Sequence, residues 1–364
     1  MKEDIIHSTS IESEMKAARI TKPKEPLVID TVQTPKPKGS QILIKVMSTG
    51  VCHSDLHLWE GGYAGPAGLF MKVEDRGVKF PLIPGHEVAG IVEDLGEEVE
   101  GFRTGDRVLA YPWIGDGLCP ACRVGEENLC DKPRSLGVYQ DGGYSEYMLV
   151  PHYKYLVKIG EQNFDEVASL ACSGLTAFSA VKNSSVKPEE FVVIVGAGGL
   201  GLLGVQIAKK LTNATVAVLD LDNKRLEEAR KLGADHTINS ATKDPVKEIR
   251  DLTNGLGADA IVDFVNASKT VSTDLNLLRK RGRLVLVGLF GGSVELNLAL
   301  MPLRAFRIIG SYTGKYTDLV ELVALAKKGV IKSIVSRRFK LDEANDALTQ
   351  LKEGKIIGRA VIAP

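Results

Sequence analysis

Two rhythms of apolar and polar positions divide this chain. From Met15 to about residue 160, apolar and polar positions alternate in short runs such as 42–46 and 88–92, with Gly and Pro recurring between them. Short period-two segments bounded by turn formers predict β-strands, here an all-β, partly open barrel. Near Asp165 the rhythm changes to strand, helix, strand, helix. The run 191–195 is apolar throughout, as expected of a buried strand in a parallel sheet. A helical pattern covers 200–211 and a strand 214–219. A charged helix over 222–232 is closed by Gly233, and strands follow at 258–264 and 283–289. That succession is the doubly wound α/β pattern. After residue 314 a helix over 319–328 is predicted, then short strands around a helix over 343–351. The expected organisation is a loose polar extension (1–14) and a discontinuous catalytic domain (15–165 and 315–364). A nucleotide-binding domain (166–314) is inserted between its halves.

Composition narrows the function classes. The 364 residues suffice for two separate cores. Lys plus Arg and Asp plus Glu both number 46, and zero formal charge argues against nucleic acid or an anionic membrane as the main partner. No apolar run approaches the ~18–20 residues of a membrane span. The first residues hold no apolar stretch of secretory type, so a cytoplasmic protein is expected. The five cysteines are an odd number and all stand in metal-type contexts. Thiolate ligands in a reducing compartment explain them better than disulfides.

Three separated pieces carry one ligand set: Cys52 in Gly-Val-Cys-His-Ser-Asp, His86-Glu87 after Gly85, and Cys172 before Ser173-Gly174. Two thiolates and an imidazole suit zinc, and three protein ligands leave a fourth position open, which marks a catalytic site. A second set lies in one loop: Asp116, Cys119, Cys122 and, seven residues on, Cys130. Asp116 precedes Cys119 by the interval that separates Cys119 from Cys122. With its oxygen as fourth ligand the set is closed and structural.

Gly196-x-Gly198-x-x-Gly201, with Gly199 and Leu200 inside it, directly follows a predicted strand and opens a helix. The first glycine permits the turn, the second lets backbone reach a pyrophosphate, and the third lets helix and strand pack. Free N–H groups of the helix then meet phosphate. Asp220 ends the next strand, where it would bind the ribose hydroxyls of NAD and repel the 2′-phosphate of NADP. Asp222 adds to that repulsion or caps a helix. Lys224 and Arg225 are solvated charges or, rotated, phosphate contacts that would admit NADP.

In this order and combination, with Gly358-Arg359 near the end, these motifs resemble the zinc-dependent medium-chain alcohol dehydrogenases over residues 15–364. The resemblance is strongest to archaeal tetrameric members, in which an acidic residue replaces the first structural cysteine. Asp116 fits, though aspartate is shorter than the expected glutamate. The resemblance implies a GroES-like barrel with an inserted Rossmann domain, two zinc ions and NAD(H). It implies that Cys52, His86 and Cys172 hold the catalytic zinc, with Glu87 as alternating or outer ligand and Asp55 bonded to the far nitrogen of His86. Ser54 would pass the substrate's proton through the coenzyme ribose to His57. His53 and Arg359 would contact the pyrophosphate, and Trp59 and Trp113 would line the substrate channel. The residues alone leave His57 as a surface histidine, the tryptophans as core aromatics and Arg359 as the partner of a surface acid. Dimers or tetramers would pair through an edge strand near 284–289 or 296–300.

The expected activity is hydride transfer between small alcohols and NAD, with aldehydes or ketones as products. Reduction of a semialdehyde to a hydroxy acid is the alternative, with Lys72, Arg76 or Lys79 meeting the carboxylate. A zinc-free quinone or enoyl reductase would leave Cys52, His86 and Cys172 idle. A non-catalytic nucleotide-binding protein is the reading from another class.

Overall fold

A computed structural model describes residues 12–65 and 69–364. Of the extension expected over 1–14, residues 1–11 lie outside the described residues, and Glu14 already begins the strand Glu14–Arg19. Two large sheets carry the fold. The first runs in the order Val335–Lys340, Arg359–Ala363, Ile42–Gly50, Glu87–Leu95, Arg107–Ala110 and Leu156–Lys158, with Tyr147–Val150 paired to Ile42–Gly50 off that path. Its first two strands are parallel and its other pairings antiparallel. Register shifts at Leu43/Ile44 and Val46/Ser48 bend the long central strand, as bulges do where a sheet curls. The strand Ile42–Gly50 and the chain's last strand therefore meet in one sheet.

The second sheet is wholly parallel: His236–Asn239, Thr215–Asp220, Phe191–Val195, Ala258–Asp263, Leu278–Leu286 and Arg307–Gly310. Strand order reverses between Phe191–Val195 and Ala258–Asp263, which is where doubly wound sheets bind ligands at their carboxyl ends. This order corrects the expected edge. Leu278–Leu286 lies inside the sheet, residues 296–300 form no strand, and the edge is Arg307–Gly310. The interior place of Leu278–Leu286 follows from its buried Leu284 and Val285. The helix expected over 319–328 begins earlier, as Tyr316–Lys327.

One apolar core runs from the barrel (Ile42, Val88, Leu109) through Leu175 and Phe178 of the helix Ser173–Ser184 into Leu202, Val205 and Val192 beside the parallel sheet. That continuity fixes the carboxyl ends of the parallel strands against the barrel. Among the described residues, no helix is long and apolar enough to cross a membrane.

Candidate active site

Cys52 caps the helix His53–Glu60 just after the strand Ile42–Gly50; His86 and Glu87 stand at the start of Glu87–Leu95; Cys172 precedes Ser173–Ser184. The fold brings these four together, with potential ligand atoms all within 4.8 Å of one another, and all four are buried. Gly50 makes room, since a Cβ there would overlap the Glu87 carboxylate.

The surrounding bonds explain the geometry. Asp55, fully buried, has one oxygen 3.1 Å from His86 Nδ1 and accepts from the Cys52 N–H at 2.9 Å and the Tyr144 hydroxyl at 3.2 Å. Nδ1 is thereby held as the donor, which leaves the Nε2 lone pair free. Nε2 is buried and finds no partner among the described residues. A buried imidazole nitrogen without a partner is costly, and two thiols and a carboxylate beside it are the donors a zinc ion requires. The residues fit the metal. The contact with the Cys172 thiol lowers the Cys52 pKa against the cost of burial, while Cys172 is pushed up by the same contact and by burial. Glu87 accepts from the Ser173 N–H at 3.1 Å and pairs with Arg359. Burial raises its carboxyl although Arg359 opposes this.

Arg359 joins this cluster to the glycine-rich turn. It is 4% exposed, and its Cδ occupies the place a Cβ on Gly199 would need. Each glycine of the turn has its own reason. Gly196 sits at φ +89°, Gly198 faces open space, and a Cβ on Gly201 would overlap the Gly196 carbonyl oxygen. Leu200 lies in the first turn of the helix Gly199–Thr212. Asp220 accepts from the Ala197 N–H at 2.6 Å, tying the end of its strand to the turn. Asp222 caps its helix by accepting from the Lys224 N–H at 2.7 Å. Arg225 donates to the Gly354 carbonyl at 3.3 Å, and exposed Lys224 is solvated. His53 is exposed, near enough to Arg359 and Arg225 to feel their charge.

Ser54 and His57, three apart, share a helix face. Burial keeps the His57 imidazole below its ordinary pKa, and its ring lies 4.5 Å from that of Tyr63. Trp113 packs 5.3 Å from the His86 ring and donates to the Ala171 carbonyl at 3.2 Å. Trp59 does not join it. Two residues beyond His57 it points to the other side of the helix, donates to the Glu25 carbonyl at 2.7 Å and carries the Lys352 ammonium over its ring. Its role is to pack that helix. Tyr63 and Tyr312 were not foreseen. Tyr312 meets Trp113 edge-on at 6.0 Å, and both tyrosines feel Arg76, whose guanidinium is 5.9 Å from the Tyr63 ring. Among the described residues, exposed Lys72 and Lys79 make no comparable contact. No sequence periodicity marks these tyrosines, since Tyr63, in the short strand Gly62–Ala64, and Tyr312, in a loop, are brought together only by the fold.

The lobe cluster gathers Asp116, Cys119, Cys122 and Cys130 in the same compact way, but only Cys130 is buried. Cys119 Sγ stands 3.4 Å from Cys122 Sγ and 3.7 Å from Cys130 Sγ. Backbone N–H groups of Asp116 and Lys132 point at the Cys130 sulfur, both at 3.3 Å, and that of Cys122 at the Cys119 sulfur at 3.4 Å. Asp116 accepts from the N–H groups of Leu118 and Cys119, which hold its carboxyl down at about 2. These residues fit a closed metal site.

Comparison with known proteins agrees with this geometry. Residues 38–161 match the alcohol dehydrogenase GroES-like domain, and residues 199–328 match the zinc-binding dehydrogenase family. An NAD-dependent alcohol dehydrogenase of Sulfurisphaera tokodaii is 45% identical over 96% of this chain and 100% of its own length. One of Saccharolobus solfataricus is 44% identical over the same shares. The crystal structure of an alcohol dehydrogenase from the archaeon Aeropyrum pernix superposes with a TM-score of 0.87 at 38% identity, covering 96% of this chain and 100% of that one.

Proposed function

Because this chain belongs to the zinc-binding, medium-chain alcohol dehydrogenases, we propose how its own residues divide the work of that chemistry. It is a zinc- and NAD(H)-dependent oxidoreductase that interconverts alcohols with aldehydes or ketones, and its partner is the small-molecule substrate. Bound zinc supplies Lewis acidity that lowers the pKa of an alcohol, and NAD accepts the hydride.

Cys52, His86 and Cys172 hold the catalytic zinc, with Glu87 as the carboxylate behind it. The observation that carries this is the unpartnered, buried His86 Nε2 between two thiols. Asp55 orients the imidazole from its far side. With the coenzyme bound, the Ser54 hydroxyl would take the substrate's proton and His57, which burial holds below its ordinary pKa and so neutral, would be its acceptor. Trp113 bounds the substrate pocket and excludes water beside His86. The N–H groups at Gly198 to Leu200 bind the pyrophosphate, with the Arg359 cation and the His53 imidazole as its further contacts. Asp220 binds the ribose and disfavours NADP. Asp116, Cys119, Cys122 and Cys130 hold a second, structural zinc.

Residues 15–165 and 315–364 form the catalytic domain and 166–314 the nucleotide domain. Ile308 in the sheet edge Arg307–Gly310 is exposed, as are Leu298 and Leu303 in the segment that leads into it. An edge strand with an apolar surround is suited to pairing with a second copy, which supports a homodimer or a homotetramer built from it. Five cysteines assigned to metal favour the cytoplasm.

The test is initial rates on a panel of alcohols, aldehydes and short semialdehydes, with NAD(H) and NADP(H), with and without a chelator. Chelator-sensitive turnover preferring NAD(H) is expected. Preference for NADP(H) would overturn the role of Asp220, and turnover indifferent to metal removal would overturn that of Cys52, His86 and Cys172.

A further inference from the structure

The helix that follows the glycine-rich turn buries one amide among aliphatic neighbours. Gln206 is 6% exposed, between Val205 and Ile207, which are fully buried. A primary amide in such a place is tolerated only if its donors and acceptor are used. They are: Nε2 donates to the Lys332 carbonyl at 2.9 Å and the Leu202 carbonyl at 3.3 Å, and Oε1 accepts from the Lys332 N–H at 3.1 Å. The side chain thus grips one backbone residue from both sides, as a neighbouring strand would.

Lys332 belongs to a short segment tied both to the turn that carries Cys172 and to Arg359. Ser333 Oγ lies 2.5 Å from Ser169 Oγ, in the turn that carries Cys172. The Ile334 carbonyl accepts from the Arg359 N–H at 2.7 Å. Gly358, at φ +76°, fits beneath Ile334 only because it has no side chain. Gly199 and Gln206 are seven residues apart, two helical turns, and so share one face. The first meets Arg359 on that face and the second meets Lys332.

We propose that Gln206 is a positioning residue for coenzyme binding: by holding residues 332–334 against the helix, it sets the backbone from which Arg359 reaches the glycine-rich turn. The role rests on the reading of Arg359 as a pyrophosphate contact. Without the amide, the segment keeps its tie to Ser169 but loses its tie to the coenzyme helix, and the guanidinium drifts toward Glu87 alone.

The experiment is a double-mutant cycle on the full-length, metal-loaded enzyme, read as the Kd for NADH by fluorescence titration. Gln206→Met, similar in size and without the hydrogen bonds, should raise the Kd about five- to tenfold, the loss expected from one or two net hydrogen bonds. The KM for alcohol and the zinc content should stay unchanged. In an Arg359→Ala background the same substitution should have no further effect. An undiminished effect there overturns the proposal, because Gln206 would then act independently of Arg359. If Arg359→Ala by itself leaves NADH binding intact, the reading of Arg359 fails first and the role of Gln206 falls with it. Gln206→Glu, which keeps the acceptor and loses the donor, and Arg359→Lys run the same cycle should either first variant not fold.

Discussion

The two sulfur clusters use nearly the same ligand types and are built in opposite ways. The cleft cluster draws Cys52, His86, Glu87 and Cys172 from three distant parts of the chain, and all four are buried. Asp55 and Tyr144 support it from beneath and Arg359 from the side. The lobe cluster comes from residues 116–130, where Cys119, Cys122 and Asp116 are partly exposed and the only helices are of one turn. In the first, the fold imposes the ligand positions, so a coordination site can stay open for substrate. In the second, the loop is tied to its surroundings mainly through Glu127 and Asn128, its ligands all come from one short and partly exposed segment, and a bound metal would contribute folding energy more directly.

Removing a ligand from each cluster should therefore give different losses. Cys52→Ser should lower turnover roughly a thousandfold or more, the scale of several kcal/mol of charge stabilisation, and remove one zinc per chain with only a small change in melting temperature. Cys119→Ala with Cys122→Ala should also remove one zinc, but lower the melting temperature on the order of 10 °C while leaving turnover of the folded enzyme nearly intact. Equal melting temperatures for the two variants would break the distinction. A finer cut tests the support beneath the cleft cluster: Asp55→Asn should cost about 10–100-fold in activity or metal affinity, measured by rates and by competition with a chelator. On the lobe side, Asp116→Cys should slow zinc loss to a chelator severalfold, because a fourth thiolate replaces a short carboxylate. Unchanged loss rates would show that Asp116 is no ligand.

The smallest expected effect concerns a buried acid with no cation beside it. Asp274 is 1% exposed, and neither carboxyl oxygen accepts a hydrogen bond among the described residues. Burial, then neighbouring Asp263, raises its pKa well above the ordinary carboxyl range. The folded state thus keeps a proton that the unfolded state releases above about pH 4, so this group's contribution to stability is full below that pH and declines as pH rises toward the folded pKa. Asp274→Asn should remove the decline and stabilise the protein by about 1 kcal/mol or more near neutral pH, with little change at pH 4. Melting curves across that range check it.

Much of this was legible in the chain because chemistry and local pattern coincide there. The Gly196 turn sits between an apolar strand and a helix, and the lobe cysteines are neighbours in sequence. Trp59 was misplaced for want of one step: a helix over His53–Glu60 sets residues 57 and 59 about 200° apart. The sheet edge was misread because 283–289 is the more apolar run, whereas apolarity on both faces marks an interior strand and short Arg307–Gly310 the edge. The pairing of Arg359 with Glu87 spans most of the chain, and no spacing rule reaches that far. Gln206 did leave a trace, a lone polar residue inside an aliphatic helical run.

The strand Ile42–Gly50 ends in a pairing that is late in coming. Gly50 faces Val361, and the Val51 N–H donates to the Ala360 carbonyl. At about 5–20 residues per second of synthesis, that partner emerges roughly 15–60 s after Gly50 does. Throughout this interval the growing polypeptide presents an open strand end with the Cys52 thiol two residues beyond it. The parallel sheet, encoded by the contiguous stretch 191–310, can close in the meantime. Synthesis thus lets the five barrel strands within residues 42–158 pair early, while the sheet edge beside Cys52 waits for Arg359–Ala363 and closes last of all.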